Sequence, residues 1–135
     1  FERLPVGVLR AGVRLAWAKT RQVPVVDHCW STRSGLIEVH SSQYFPGFMN
    51  VGKWISIGDR VAKAKKGLLR AANSGGVHHM WTHPFNLGVR TTELLDALDE
   101  IFRHADELRT QGKLVFRSMT QVAAELSSED AEINE

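Results

Sequence analysis

Three of the six histidines, His78, His79 and His83, crowd into one short apolar run, Val77-His78-His79-Met80-Trp81-Thr82-His83-Pro84-Phe85-Asn86-Leu87. Imidazole is the side chain that most readily exchanges a proton near neutral pH, and it is also a common metal ligand. His79 and His83 stand four apart, a spacing that on a helix lets both bind one zinc. Here Gly75 and Gly76 precede the run and Pro84 cannot donate to a sheet ladder. The remaining stretch, about seven residues, is too short for a stable helix and right for a buried strand. On a strand, residues four apart lie roughly 13 Å from each other, far beyond a shared zinc with bonds of about 2 Å. Alternation puts His79, Trp81 and His83 on one face and His78, Met80 and Thr82 on the other. No pair of these imidazoles is placed to chelate, and no second cluster has ligand spacing, so no metal ligand is assigned. His83, delivered to a proline turn where the strand ends, is the candidate catalytic residue. It can hand a proton to a leaving amine or accept one from water. The competing assignment is a core imidazole whose nitrogens are satisfied by neighbours.

Aromatic rings gather around the same place. Trp81 shares the face of His83, while Tyr44, Phe45, Phe48 and Trp54 fall in a stretch broken by Pro46, Gly47, Asn50 and Gly52. Aromatic rings stack on the C–H faces of sugars, which makes Trp81, Tyr44 and Trp54 candidate substrate-binding residues for a carbohydrate. The alternative is that these rings close the rim of a hydrophobic core.

The elements that position these residues alternate in type. Pro5 suits the first turn of a helix whose apolar stripe is Val6, Leu9, Val13, Ala16 and Trp17. Val23–Val26 reads as a short strand, with Pro24 confining it to an edge. Leu36–Ser41 reads as a second strand, followed by a long aromatic loop, Tyr44–Trp54. Ser56 caps a helix to about residue 73, with Ile57, Val61, Ala64, Leu68 and Ala72 facing inward. The strand from Val77 follows. Thr91 or Thr92 then caps the best-patterned helix, whose apolar face is Leu94, Leu95, Leu98, Ile101, Phe102, Ala105 and Leu108, with Gly112 as its stop. Leu114–Phe116 reads as a last strand, and Ser118 or Thr120 caps a terminal helix through Leu126. Strands alternating with helices predict a parallel sheet with crossover helices, an α/β fold.

Composition bounds the possibilities. The chain has 135 residues, enough for one core, whereas a complete α/β barrel needs roughly 200 or more. A net charge of +2 gives no reason to expect a nucleic-acid partner. Lys53, Arg60, Lys63, Lys65, Lys66 and Arg70 against Asp59 leave a local charge of +5, which reads as a solvated helix face. Glu129, Asp130, Glu132 and Glu135 make residues 127–135 an acidic tail, expected to be disordered. The lone Cys29 has no internal disulfide partner, which points to a reducing compartment, the cytoplasm. No apolar run reaches the length of a membrane span.

Three motifs occur in a telling order: Gly35-Leu36-Ile37-Glu38-Val39-His40-Ser41-Ser42, then His83-Pro84, then Gly112-Lys113-Leu114 followed by Ser118-Met119-Thr120-Gln121-Val122-Ala123. Together, over residues 35–126, they resemble the polysaccharide deacetylases, the NodB-like carbohydrate esterases. The resemblance implies that residues 1–126 are the C-terminal half of an irregular (β/α) barrel of the glycoside hydrolase and deacetylase type, with mostly parallel strands and outer helices. It also implies removal of acetyl groups from N-acetylated sugars or polysaccharide, with a divalent metal, zinc foremost, in the complete domain. In that family an aspartate and two histidines from an Asp-Asp and a His-x3-His motif hold the metal. The histidine of the last motif, here His83, serves as general acid.

The departures matter equally. Neither metal motif occurs before residue 35, His40 stands where the family has proline, and the first residue is Phe1 rather than methionine. The expected partners are therefore a carbohydrate substrate and a missing N-terminal half of the domain. Alone, this chain is expected to bind no metal and hydrolyse nothing. The alternative is a non-catalytic carbohydrate-binding or structural relative of the same barrel.

Overall fold

The computed structural model describes Pro24, Val26, Trp30, Ser31 and residues 36–133. The helix expected from Pro5, together with Asp27, His28 and Cys29, lies outside the described residues. Of the strand expected at Val23–Val26, only Pro24 and Val26 are described; both are buried and neither belongs to a strand.

Helices dominate, joined by very short strands. Strand β1 (Trp30–Ser31) pairs antiparallel with β2 (Ile37–Glu38), with Trp30 opposite Glu38. Strand β3 (Gln43–Tyr44) pairs parallel with β4 (Met80–Trp81), with Gln43 opposite Met80 and Tyr44 opposite Trp81. The expected parallel pairing is thus present at β3 and β4, and the other pairing runs antiparallel. Each strand holds only two residues, so the stretches expected as longer strands carry most of their length as extended, irregular chain.

Helix α1 (Ile57–Ser74) crosses from β3 to β4. Ser56 caps it as the sequence predicts: its hydroxyl accepts from the Asp59 N–H at 3.0 Å and donates to the Asp59 carboxylate at 2.8 Å. Gly75 ends the helix at φ 68°, a left-handed conformation that glycine adopts without steric cost. Helix α2 (Thr91–Thr110) packs along α1. Its first turn departs from expectation, because Arg90 is the cap residue and the Thr91 hydroxyl donates backwards to the Leu87 carbonyl at 2.6 Å. Helix α3 (Met119–Ile133) begins with a reciprocal cap. The Ser118 N–H donates to the Gln121 side chain at 2.8 Å, and the Gln121 N–H donates to the Ser118 hydroxyl at 3.2 Å.

The core lies between α1, α2 and the β3–β4 pair. Phe45, Val61, Ala64, Leu68, Leu94, Ala97, Ile101, Ala105 and Leu108 form its buried centre, with Met80 and Leu114 packed against it. Full burial of a residue such as Leu94 contributes about 1.5–3 kcal/mol, so this cluster is the main source of stability. The face predicted for α2 is broader than the one buried: Leu95 and Phe102 flank the stripe and are about half exposed, while Ala97 lies inside it. The expected strand at Leu114–Phe116 is irregular. Only Leu114 turns inward, and Val115 and Phe116 remain exposed beside no pairing strand.

Candidate functional site

Alternation along β4 sorts its side chains as a period of two requires. Met80 packs on the core, and the Thr82 hydroxyl donates to the Phe45 carbonyl at 2.8 Å. Trp81 and His83 turn to the opposite, exposed side. There they join a continuous ladder of rings. Tyr44, opposite Trp81 in register, has its ring centroid 4.7 Å from the indole. Trp81 meets His83 edge-on at 5.1 Å, and His83 stacks on Phe85 at 4.9 Å with planes 14° apart.

Local structure fixes this presentation. His83 has extended backbone and caps a 3-10 turn, Pro84–Gly88, in which proline takes the first position, where no N–H is needed. The Asn86 N–H returns to the His83 carbonyl at 2.9 Å, and the buried Asn86 amide donates to the Thr82 hydroxyl at 3.4 Å. Behind it, a β-carbon at Gly47 would run into the Asn86 carbonyl, so the loops after β3 and β4 touch backbone to backbone.

The loop after β3 is held by Arg60. This guanidinium, 2% exposed, donates to the carbonyls of Pro46 (2.9 Å), Gly47 (3.0 Å), Gly52 (2.7 Å) and Ile55. It also lies over the Phe48 ring at 4.2 Å, with Arg90 over the same ring at 4.1 Å. Burial, and then the positive charge of Arg90, lower its pKa to about 10. Arg60 therefore belongs to the interior and not to the solvated basic face read from the sequence. The signal was its place at helical spacing with Ile57, Val61 and Ala64, opposite a loop rich in glycine and proline carbonyls.

The other histidines part company. His78 is half-buried with both ring nitrogens inside, and its imidazole fills the space where Gly67 would carry a β-carbon. Desolvation first, and the neighbouring His79 second, push its pKa down to about 4. Neither nitrogen of His78 has a protein hydrogen-bond partner, and the same holds for Nδ1 of His79. His40 meets Glu38 at 3.1 Å, an exposed contact between two positions of the first motif. His104 reaches Glu107 at 3.4 Å on the outer side of α2.

The aromatic residues separate as well. Phe45 is core at 1% exposure, and Tyr44 is in the ladder. Trp54 stands apart from these rings at 60% exposure, with the Lys53 ammonium 5.1 Å from its ring centroid. The structure thus brings together His83, Trp81 and Tyr44 of the four predicted site residues, adds Phe85, and leaves Trp54 outside. Beside the ladder, under the edge of β3, opens a cavity of about 480 Å³ lined in part by Gln43, Tyr44, Lys63 and Phe85.

No family model, curated protein or solved structure matches the chain. The site is therefore read from its own geometry. Among the described residues no helix is long and apolar enough to cross a membrane, and no group of three His, Cys, Asp or Glu side chains could hold a metal ion.

Proposed function

We propose that this chain is the C-terminal part of a carbohydrate N-deacetylase in which His83 protonates the departing amine of an N-acetylated sugar. The observation that carries the reading is the setting of one imidazole. His83 stands exposed just beyond the end of β4, stacked on Phe85 and met edge-on by Trp81. A sugar ring stacked on the ladder presents its C–H face to the aromatic rings and its substituents to the imidazole. When water adds to the amide carbonyl and the C–N bond breaks, the nitrogen must leave as an amine. The proton that makes it one comes from His83. The β3–α1–β4 unit is, in this reading, a segment of an irregular (β/α) barrel, whose reactive groups sit where strands end.

The described residues do not fit the divalent metal that the resemblance implies, since no three candidate ligands converge among them. In this reading the ligands come from the other half of the domain, and the described residues act on the nitrogen and the sugar ring alone. The test uses the complete domain with an N-acetylated chito-oligosaccharide as substrate. His83→Ala is expected to lower kcat about 10²–10⁴-fold, the usual contribution of a general acid, with bound metal unchanged. Loss of metal in that variant would make His83 a ligand, and unchanged turnover would remove it from the reaction. Sugar binding with no turnover in the unsubstituted domain would leave a non-catalytic relative.

A further inference from the structure

The cavity under β3 is not explained by the proton donor beside it. Its volume, about 480 Å³, is in the range of small-molecule sites. Its walls are firm, because Arg60 ties the 46–55 loop to α1 through its carbonyl bonds. They are also largely apolar, with Pro46, Met49, Ile55 and Phe85 among them. The charged groups of the lining are Asp59, Arg60 and Lys63, and each is already engaged: Arg60 by four carbonyls, Asp59 by the Ser56 hydroxyl, and Lys63 by an interaction of its own. None is left to call for a counter-ion. One neutral group is unaccounted for. Alternation turns Gln43 to the inner side of β3, with Met80 and away from the Tyr44 ring, and it is 5% exposed. Its Oε1 acceptor nevertheless has no protein partner, a costly arrangement unless an N–H or O–H completes it.

We propose that this cavity is a binding site for a neutral alcohol, a lone hydroxyl donor on a compact apolar body the size of a substituted benzene ring. The hydroxyl donates to Gln43 Oε1, and the body lies against Met49, Ile55 and Phe85. A sugar fits this interior less well, since most of its hydroxyls would face apolar walls without the water that hydrates them. A carboxylate or an ammonium fits less well again, because no charge in the lining is unmet. Phe85 is shared: it walls the cavity and stacks on His83, so an occupant is felt at the ladder. The inference stands apart from the deacetylase reading, because it needs neither a metal nor a reaction at His83.

The test is an NMR titration of the full chain, labelled with nitrogen-15 and carbon-13, against benzyl alcohol, toluene, benzoate and methyl β-glucoside. Benzyl alcohol is expected to move the Gln43 side-chain amide, Met49 methyl and Phe85 ring signals along a single saturable curve, with the His83 Cε1–H resonance following it. It should bind at least about tenfold more tightly than toluene, which has the same ring and no hydroxyl to complete the acceptor. Gln43→Leu and Gln43→Met, the latter closer in shape, each remove an acceptor that lacks a partner. Both should keep the fold and bring the two affinities together. Failure of benzyl alcohol to saturate, equal affinity for it and toluene, or an advantage that survives both Gln43 variants would overturn the proposal. So would tighter binding of benzoate, which would expose an unmet positive charge, or of the glucoside, which would make the cavity a sugar subsite. A His83 resonance that stays still at saturation would overturn the coupling to the ladder.

Discussion

The imidazole of His83 and the ring of Phe85 lie 4.9 Å apart with their planes 14° from parallel. Phe85 is 65% exposed, so it adds little to the core, and its contribution is to hold the orientation of His83. Phe85→Ala is expected to change unfolding free energy by no more than about 0.5 kcal/mol, as for other exposed positions. The same substitution should shift the His83 Cε1–H proton resonance through loss of the stacked ring's current. An unmoved resonance would mean that the stack does not form in solution.

Arg60 carries the opposite expectation. Hydrogen bonds from a charged donor are worth about 1.5–3 kcal/mol each before non-additivity, and Arg60 makes four to loop carbonyls. Arg60→Met should therefore lower stability by about 3 kcal/mol or more in urea unfolding. Arg60→Lys should recover less than half of that, because an ammonium cannot reproduce the planar fork of donors.

Gly67 sits in the interior of α1, where alanine would ordinarily gain about 1 kcal/mol in helix propensity. A β-carbon there meets the His78 imidazole, and overpacking of this kind costs about 1–3 kcal/mol. The clash outweighs the propensity, so Gly67→Ala should destabilise the chain. In a His78→Ala background the sign should reverse. A double-mutant cycle by thermal unfolding measures this directly, and additive effects would place His78 elsewhere.

His78 also sets a pH dependence. In the folded chain it takes up a proton only near pH 4, whereas an unperturbed imidazole does so near 6.5. Between those values the unfolded chain binds more protons, and acid therefore favours unfolding. The contribution of His78 is fully present above pH 6.5 and is lost as pH falls toward 4, with a slope of at most about 1.4 kcal/mol per pH unit. His78→Leu should flatten stability over that window relative to the unsubstituted chain. An unchanged slope would assign the acid sensitivity to other groups.

Trp54 and Trp81 were equal candidates for sugar stacking, and their settings now differ. Trp81→Ala should weaken N-acetylglucosamine binding about tenfold, in line with about 0.5–1.5 kcal/mol for an aromatic pair beyond area burial. Trp54→Ala should change it less than twofold. The reverse ranking in a titration would move the sugar site to the 50–54 turn.

What the sequence disclosed and what it hid follow one division. The Ser56 cap, the left-handed Gly112 after α2 and the buried stripe of α1 depend on neighbours within a few residues, and all were readable. So was the two-sided sorting of Met80 from Trp81. Arg60 was only half readable: helical spacing puts it beside the inward stripe, but its partners are backbone carbonyls five to fourteen positions away, which no side-chain pattern records. Leu95 and Phe102 looked like core because a broad apolar face fits helical periodicity, while the width of the face that is covered depends on how closely α1 approaches. Leu114–Phe116 has strand-like composition, but a strand exists only where another offers it a ladder.

The backbone contact between Gly47 and Asn86 has a kinetic corollary. Two segments packed that closely leave no gap between them, so a visitor to this surface is expected to find its seat already shaped. Association should then be limited by diffusion and orientation, with little entropy lost to ordering of the chain, and differences in residence time should report mainly on the visitor's own fit.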